Sequence, residues 1–102
     1  MKYFIVEASY LAPFEKLKTL IAQHRAYLQH GYDAGMILCS GPQSPPLGGF
    51  IIARAQTLAQ LQSFLAGEPF AVAQLASYRV QEFEPVLYQP WAGAWFKGED
   101  RQ

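Results

Sequence analysis

The feature that most constrains this chain is the order in which its apolar periodicity changes. Tyr3 to Ala8 is an apolar, β-favouring run and reads as a strand. From Pro13 the apolar positions become Phe14, Leu17, Leu20, Ile21, Tyr27 and Leu28, spaced by three and four. That spacing predicts a helix of about five turns. Pro13 suits a first helical turn, where its missing N–H costs nothing. Gly31 and Gly35 end the helix, one of them as a left-handed cap. Met36 to Ser40 is a short apolar run, hence a buried strand, and the three prolines from Gly41 to Pro46 make a loop. Gly48 to Ala53 is a third strand, whose glycine pair points to a hairpin or bulge. Thr57 can cap a second helix that carries Leu58, Leu61, Phe64 and Leu65. Gly67 stops it, and Glu68-Pro69-Phe70 restarts a short helical piece through Leu75. Tyr78, Val80 and Phe83 stand among polar neighbours in a half-buried strand, which Pro85 interrupts, so that this end lies at a sheet edge or leaves the sheet.

The order β-α-β-β-α-β is the split βαβ, or ferredoxin-like, α+β unit. It expects an antiparallel sheet with two helices on one face. The other face is then bare, and an apolar bare face needs a cover. Two such sheets facing each other would close a dimer. Composition agrees: 51% of the 102 residues are apolar but only 16% are charged, thin for a surface that keeps monomers apart. A homodimer is therefore the expected partner state. Eight basic residues balance eight acidic ones, which argues against nucleic acid. No stretch approaches the roughly 20 apolar residues of a membrane span. With a single cysteine, Cys39, there is no internal disulfide, and the short N-terminal run before Glu7 does not resemble a signal peptide, so a cytoplasmic protein is expected.

Residues 1–87 read as one domain and 88–102 as an aromatic tail. Tyr88, Trp91, Trp95 and Phe96 are costly to leave in water. They either pack on the chain's own core or a partner subunit, or wall a ligand pocket. Glu99 to Gln102 is expected to fray.

His24 is the leading candidate for chemistry. It lies three residues after Ile21 and four before Leu28, on the buried stripe. A histidine there is either a core residue bonded to a backbone carbonyl or a general acid–base group, since imidazole titrates nearest neutral pH. His30 lies off that face, which disfavours a metal site. An acid–base histidine is usually oriented by a carboxylate. Asp33 is nine residues on, about 900° around a continuous helix, and reaches His24 only if the helix breaks at Gly31. Glu68 begins the piece after the second helix, which lies beside the first in this layout. It serves either as that partner or simply as a helix cap. Ser40 could bind a substrate oxygen, Gly41 could admit a ligand to the backbone, and Pro42 follows them; otherwise these three are a strand-ending turn. Cys39 reads as core, and Arg54 and Arg79 as surface residues or anion holders.

Gln23-His24-Arg25-Ala26-Tyr27-Leu28, then Asp33-Ala34-Gly35, then Ile37-Leu38-Cys39-Ser40-Gly41-Pro42, resemble the YCII-related (YciI-like) family. Gly48-Gly49-Phe50-Ile51-Ile52 is similar to its third strand, and Glu68-Pro69-Phe70 to its Asp-Pro-aromatic motif. The likeness runs from about Tyr3 to Val86. It implies a dimeric α+β barrel with a pocket near the helix histidine and a His–Asp acid–base pair. It also implies a distant relation to muconolactone-isomerase-like proteins, and a branch linked to dehydrochlorination of a chlorinated hydroquinone. His24 takes the histidine's place and Glu68 the aspartate's, one methylene longer. The loop between Gly41 and Gly48 is short for the family, and the aromatic tail lies outside its pattern. The expected function is cofactor-free isomerase or lyase chemistry on a small cyclic or aromatic substrate. Ser40 and Gly41 would line the site, and Tyr or Trp rings would stack on the substrate. The alternatives are a non-catalytic homodimer that binds a small molecule or serves as an accessory module, and a haem- or metal-binding barrel.

Overall fold

Alternation sets the sheet. In β1 (Lys2–Tyr10) Phe4, Val6 and Ala8 are buried on one side. β1 pairs antiparallel with β3 (Gly48–Ala55) and with β4 (Ala76–Phe83), and β2 (Ile37–Pro42) adds to the far side of β3. The order β2-β3-β1-β4 is that of a ferredoxin-like α+β fold. The computed structural model describes residues 1–100.

The helices are α1 (Phe14–Leu17), α2 (Ile21–Asp33), α3 (Leu58–Ala66), α4 (Pro69–Val72) and α5 (Gly93–Lys97). Leu28 of α2 and Leu61 and Leu65 of α3 pack against Phe4, Val6, Ile51 and Ala53, so both long helices cover the same sheet face. Each such side chain contributes roughly 1.5–3 kcal/mol by leaving water. A second cluster of Leu17, Phe70 and Ala76 extends the core beyond it.

The expected single first helix is broken: a 3₁₀ turn at Lys18–Leu20 separates α1 from α2. The bend lets Leu17 bury against Phe70 while α2 keeps its own stripe on the sheet. Gly31 lies inside α2, and Gly35, at φ 74°, is the left-handed cap. Met36 N–H donates to Gly31 O at 2.8 Å and Gly35 N–H to Tyr32 O at 2.9 Å, the paired bonds of a Schellman ending. Thr57 caps α3 by accepting from Gln60 N at 3.1 Å.

β2 runs through Gly41 and Pro42 rather than stopping at Ser40. As an edge strand it needs no N–H from Pro42 on its outer side. The irregularity sits between Ile37 and Cys39, not at the glycine pair. Gly48 answers a different demand: a Cβ there would lie 1.8 Å from the Ala8 carbonyl oxygen. Cys39 is exposed rather than core. It pairs with Ile52, whose neighbours Ile51 and Ala53 face the helices, so Cys39 points to the open side.

The tail folds back on its own chain. Tyr3 and Arg54, paired across β1 and β3, face away from the helices, and α5 covers them. Trp95 packs edge-on to Tyr3, and Phe96 stacks on Tyr88. Trp91 is left 81% exposed. Arg54, read as a surface or anion-holding residue, is instead fully buried. Its Nε donates to Gly35 O at 2.8 Å, Nη1 to Trp95 O at 2.6 Å, and both terminal nitrogens reach the Asp100 carboxylate at 2.7 Å. Asp100 is thus held, as is Glu99, whose N–H donates to Ala94 O at 2.8 Å. The remainder of the expected frayed end, 101 and 102, lies outside the described residues. No described helix is long and apolar enough to cross a membrane.

Candidate active site

Glu68 is the anchor. It begins α4, with Pro69 at the first helical position, and its Oε2 accepts from Phe70 N at 3.1 Å as a helix cap. The same oxygen accepts from the Tyr78 hydroxyl of β4. Its other oxygen, Oε1, is bonded to His24 Nδ1 from α2. Capping and pairing, two alternatives in the sequence, are both served by one carboxylate. Glu68 is completely buried.

Burial pushes the Glu68 carboxyl up. The hydrogen bonds from His24 and Tyr78, attraction to the imidazole in its protonated form and the Phe70 N–H together outweigh it, and hold the group below the usual glutamate range. The Tyr78 phenol is pushed well above its ordinary value, first by burial and then by its hydrogen bond to Glu68 and that carboxylate's charge. Tyr78 therefore stays a donor. An ionised Glu68 only accepts, so His24 Nδ1 carries the shared hydrogen, which fixes the tautomer. The imidazole stacks on Phe70, with centroids 4.2 Å apart and planes within 9°. Among the described residues Nε2 has no partner, and the ring borders a cavity.

That cavity holds about 420 Å³. It lies between α2 and the ends of β1, β2 and β3, at the end of the sheet away from α5. Its walls are mostly apolar, among them Phe14, Ile21, Leu28, Phe50 and Phe70. The volume is in the usual range for small-molecule sites.

The YCII-related domain matches residues 1–84. The chain belongs to the YCII-related family. No curated protein matches it. Among solved structures, it is similar to the 5-chloro-2-hydroxyhydroquinone dehydrochlorinase TftG from Burkholderia phenoliruptrix AC1100, in complex with 2,5-dihydroxybenzoquinone. The TM-score is 0.66 and the identity 22%, over 81% of this chain and 93% of that one. The likeness is one of fold.

In this YCII-related chain His24 and Glu68 come together, and Ser40, Gly41 and Pro42 line the same cavity. The Ser40 hydroxyl is already engaged with the Tyr32 hydroxyl at 2.6 Å. At Gly41 a Cβ would meet nothing within 4 Å, so the space beside it is open. Asp33 is apart from the site: it is exposed and accepts from Gln29 Nε2 at 2.9 Å, because α2 continues unbroken through Gly31. No Trp lines the cavity; the rings there are Tyr10, Tyr78, His24 and three Phe. Tyr78, Phe70 and Arg25 border the site without having been assigned a role there from the sequence, Phe70 and Arg25 standing only within the family motifs. For Tyr78 the available signal was strand alternation, which puts it on the helix side of β4 with Val80. No group of three or more His, Cys, Asp or Glu among the described residues is placed to hold a metal ion.

Proposed function

We propose that this protein is a YciI-like enzyme in which His24 Nε2 moves a proton on a small cyclic or aromatic substrate, in an isomerisation or elimination. The observation that carries the reading is the buried Glu68 on Nδ1 of a ring that borders an apolar cavity, its Nε2 having no partner among the described residues. Glu68 orients the ring and stabilises the imidazolium that forms once Nε2 has taken a proton. Phe70 fixes the ring plane, and Tyr78 holds the second carboxylate oxygen. The same nitrogen can return the proton to a different atom, completing an isomerisation, or release it to water after a leaving group departs. The reaction so drawn needs no cofactor. The structural neighbour's named activity, dehydrochlorination of a small aromatic compound, is chemistry of this kind. We further propose a homodimer, because Ile5 and Phe50 on the sheet face opposite the helices are 40% and 46% exposed.

The test is exchange of carbon-bound hydrogen for deuterium in quinol-type and cyclic enol compounds, followed by proton NMR. The wild type accelerates exchange, and His24→Asn lowers the rate by about 10²–10⁴-fold while ligand binding persists. Binding without exchange in the wild type would sink the catalytic reading and leave a small-molecule-binding dimer.

A further inference from the structure

We propose that the cavity takes a flat ring bearing an anionic oxygen group, with Arg25 at the rim as its counter-ion. The inference rests on the reading of this cavity as the substrate site, and names the substrate class. Arg25 is the one charged aliphatic or guanidinium side chain among the described lining residues, and no Asp or Glu faces the cavity with it. Glu68 sits behind His24 and Tyr78, with both oxygens occupied. Arg25 makes no hydrogen bond or ion pair with any described residue. Arg54 and Arg79, by contrast, are engaged by Asp100 and Glu7. An unpaired guanidinium beside apolar, aromatic walls is complementary to a ligand with one apolar ring and one anionic end.

The arrangement also suits the proton transfer. His24 and Arg25 are successive residues of α2, about 100° apart around the helix. One therefore borders the cavity from the inside while the other stands at its exposed rim. A ring anchored by its anionic oxygen to Arg25 can lie along the Phe14 and Phe50 walls and present another atom to Nε2. A guanidinium binds a carboxylate with two parallel hydrogen bonds, and an ionised ring hydroxyl with one. The negative ligand in turn stabilises the imidazolium that proton transfer creates.

Calorimetric titration tests this with matched probes. The first pair is 2,5-dihydroxybenzoate against neutral 2,5-dihydroxybenzamide. The second is 4-nitrophenol against 4-nitroanisole, at a pH where the phenol is ionised. The wild type is expected to prefer at least one anion by about tenfold, about 1.4 kcal/mol, and the preference shrinks with added salt. Which pair shows it tells a carboxylate from a phenolate. Arg25→Gln removes the preference and leaves the neutral probe's affinity unchanged; Arg25→Lys keeps part of it. Equal binding of anion and neutral partner, a preference that survives Arg25→Gln, or no binding of any probe overturns the proposal. His24→Asn separates the two readings: it abolishes hydrogen exchange but retains the anion preference. A wild type that shows the preference without exchange defeats the acid–base reading and leaves this one standing.

Discussion

Glu68 hides a full negative charge from water, and three donors make that tolerable. Removing the charge while keeping the shape, as in Glu68→Gln, costs about 2 kcal/mol at neutral pH, the usual worth of hydrogen bonds to a charged group. The pH dependence has a definite sign. The folded carboxyl is held below its ordinary value, so its contribution is complete above the unfolded pKa of about 4.3 and is lost as pH falls through the lower folded value. Urea midpoints measured from pH 7 down to about pH 3 should therefore show the wild type losing stability towards the Glu68→Gln variant. A gap that stays constant over that range would mean that the fold does not lower the Glu68 pKa, and a wild type that gains stability relative to the variant as pH falls would mean that the carboxyl is raised instead. At this scale the sequence was half legible. His24 could be placed by the three-and-four spacing around it, because helical geometry is local. Glu68 remained ambiguous because capping and pairing make the same demand on a residue at a helix start. For Tyr78, strand alternation marked only the face it occupies, since its contact with Glu68 depends on how β4 lies against α4.

Among the elements, those with local chemical signals were the readable ones. Thr57 caps α3, Gly35 ends α2, and Pro69 opens α4, each for a reason contained within a few residues. The break at Lys18–Leu20 was not readable, because the apolar stripe continues across it and only the tertiary pull of Phe70 on Leu17 distinguishes the two segments. α5 is the extreme case. Its docking depends on Arg54, a charged residue near the end of β3, meeting Asp100 and the Trp95 carbonyl from the far end of the chain. The Arg54 guanidinium also lies 4.6 Å from the centre of the Trp95 ring. Arg54→Met removes the cation from under the tail and takes one donor from each of the Gly35 and Trp95 carbonyls, which keep the Trp95 indole N–H and the Tyr3 hydroxyl. The expected cost is about 3 kcal/mol, the scale for breaking a buried ion pair. In a Trp91→Phe background, Trp95 emission should shift to longer wavelength as α5 leaves Tyr3. An unchanged spectrum and an unchanged unfolding midpoint would show that the aromatic contacts with Tyr3 hold α5 without the arginine.

For the molecule as a whole, the sheet has two unequal faces. One carries the helices and the core. The other is covered by α5 only near Tyr3 and Arg54, which leaves Ile5, Phe50 and Cys39 exposed beside the Glu7–Arg79 pair. The element order already required this asymmetry, since both crossover helices of a split βαβ unit fall on one side. The sequence did not reveal that the chain's own tail would take one end of the open face, because that coverage is made by contacts between the two termini. What is left is apolar in the middle and thinly charged around it, a surface better satisfied by a second copy than by water. Light scattering at micromolar concentration should give a dimer mass. Ile5→Lys together with Ile52→Lys places charges on the middle of that face, where the two residues pair across β1 and β3, without entering the helix-side core or the cavity wall, and should give a folded monomer that keeps its circular dichroism. A wild-type monomer would remove the face-to-face arrangement. A dimer that survives both substitutions would place the interface elsewhere, for which Trp91 and Leu87, at 81% and 91% exposed, are the next apolar surface to charge.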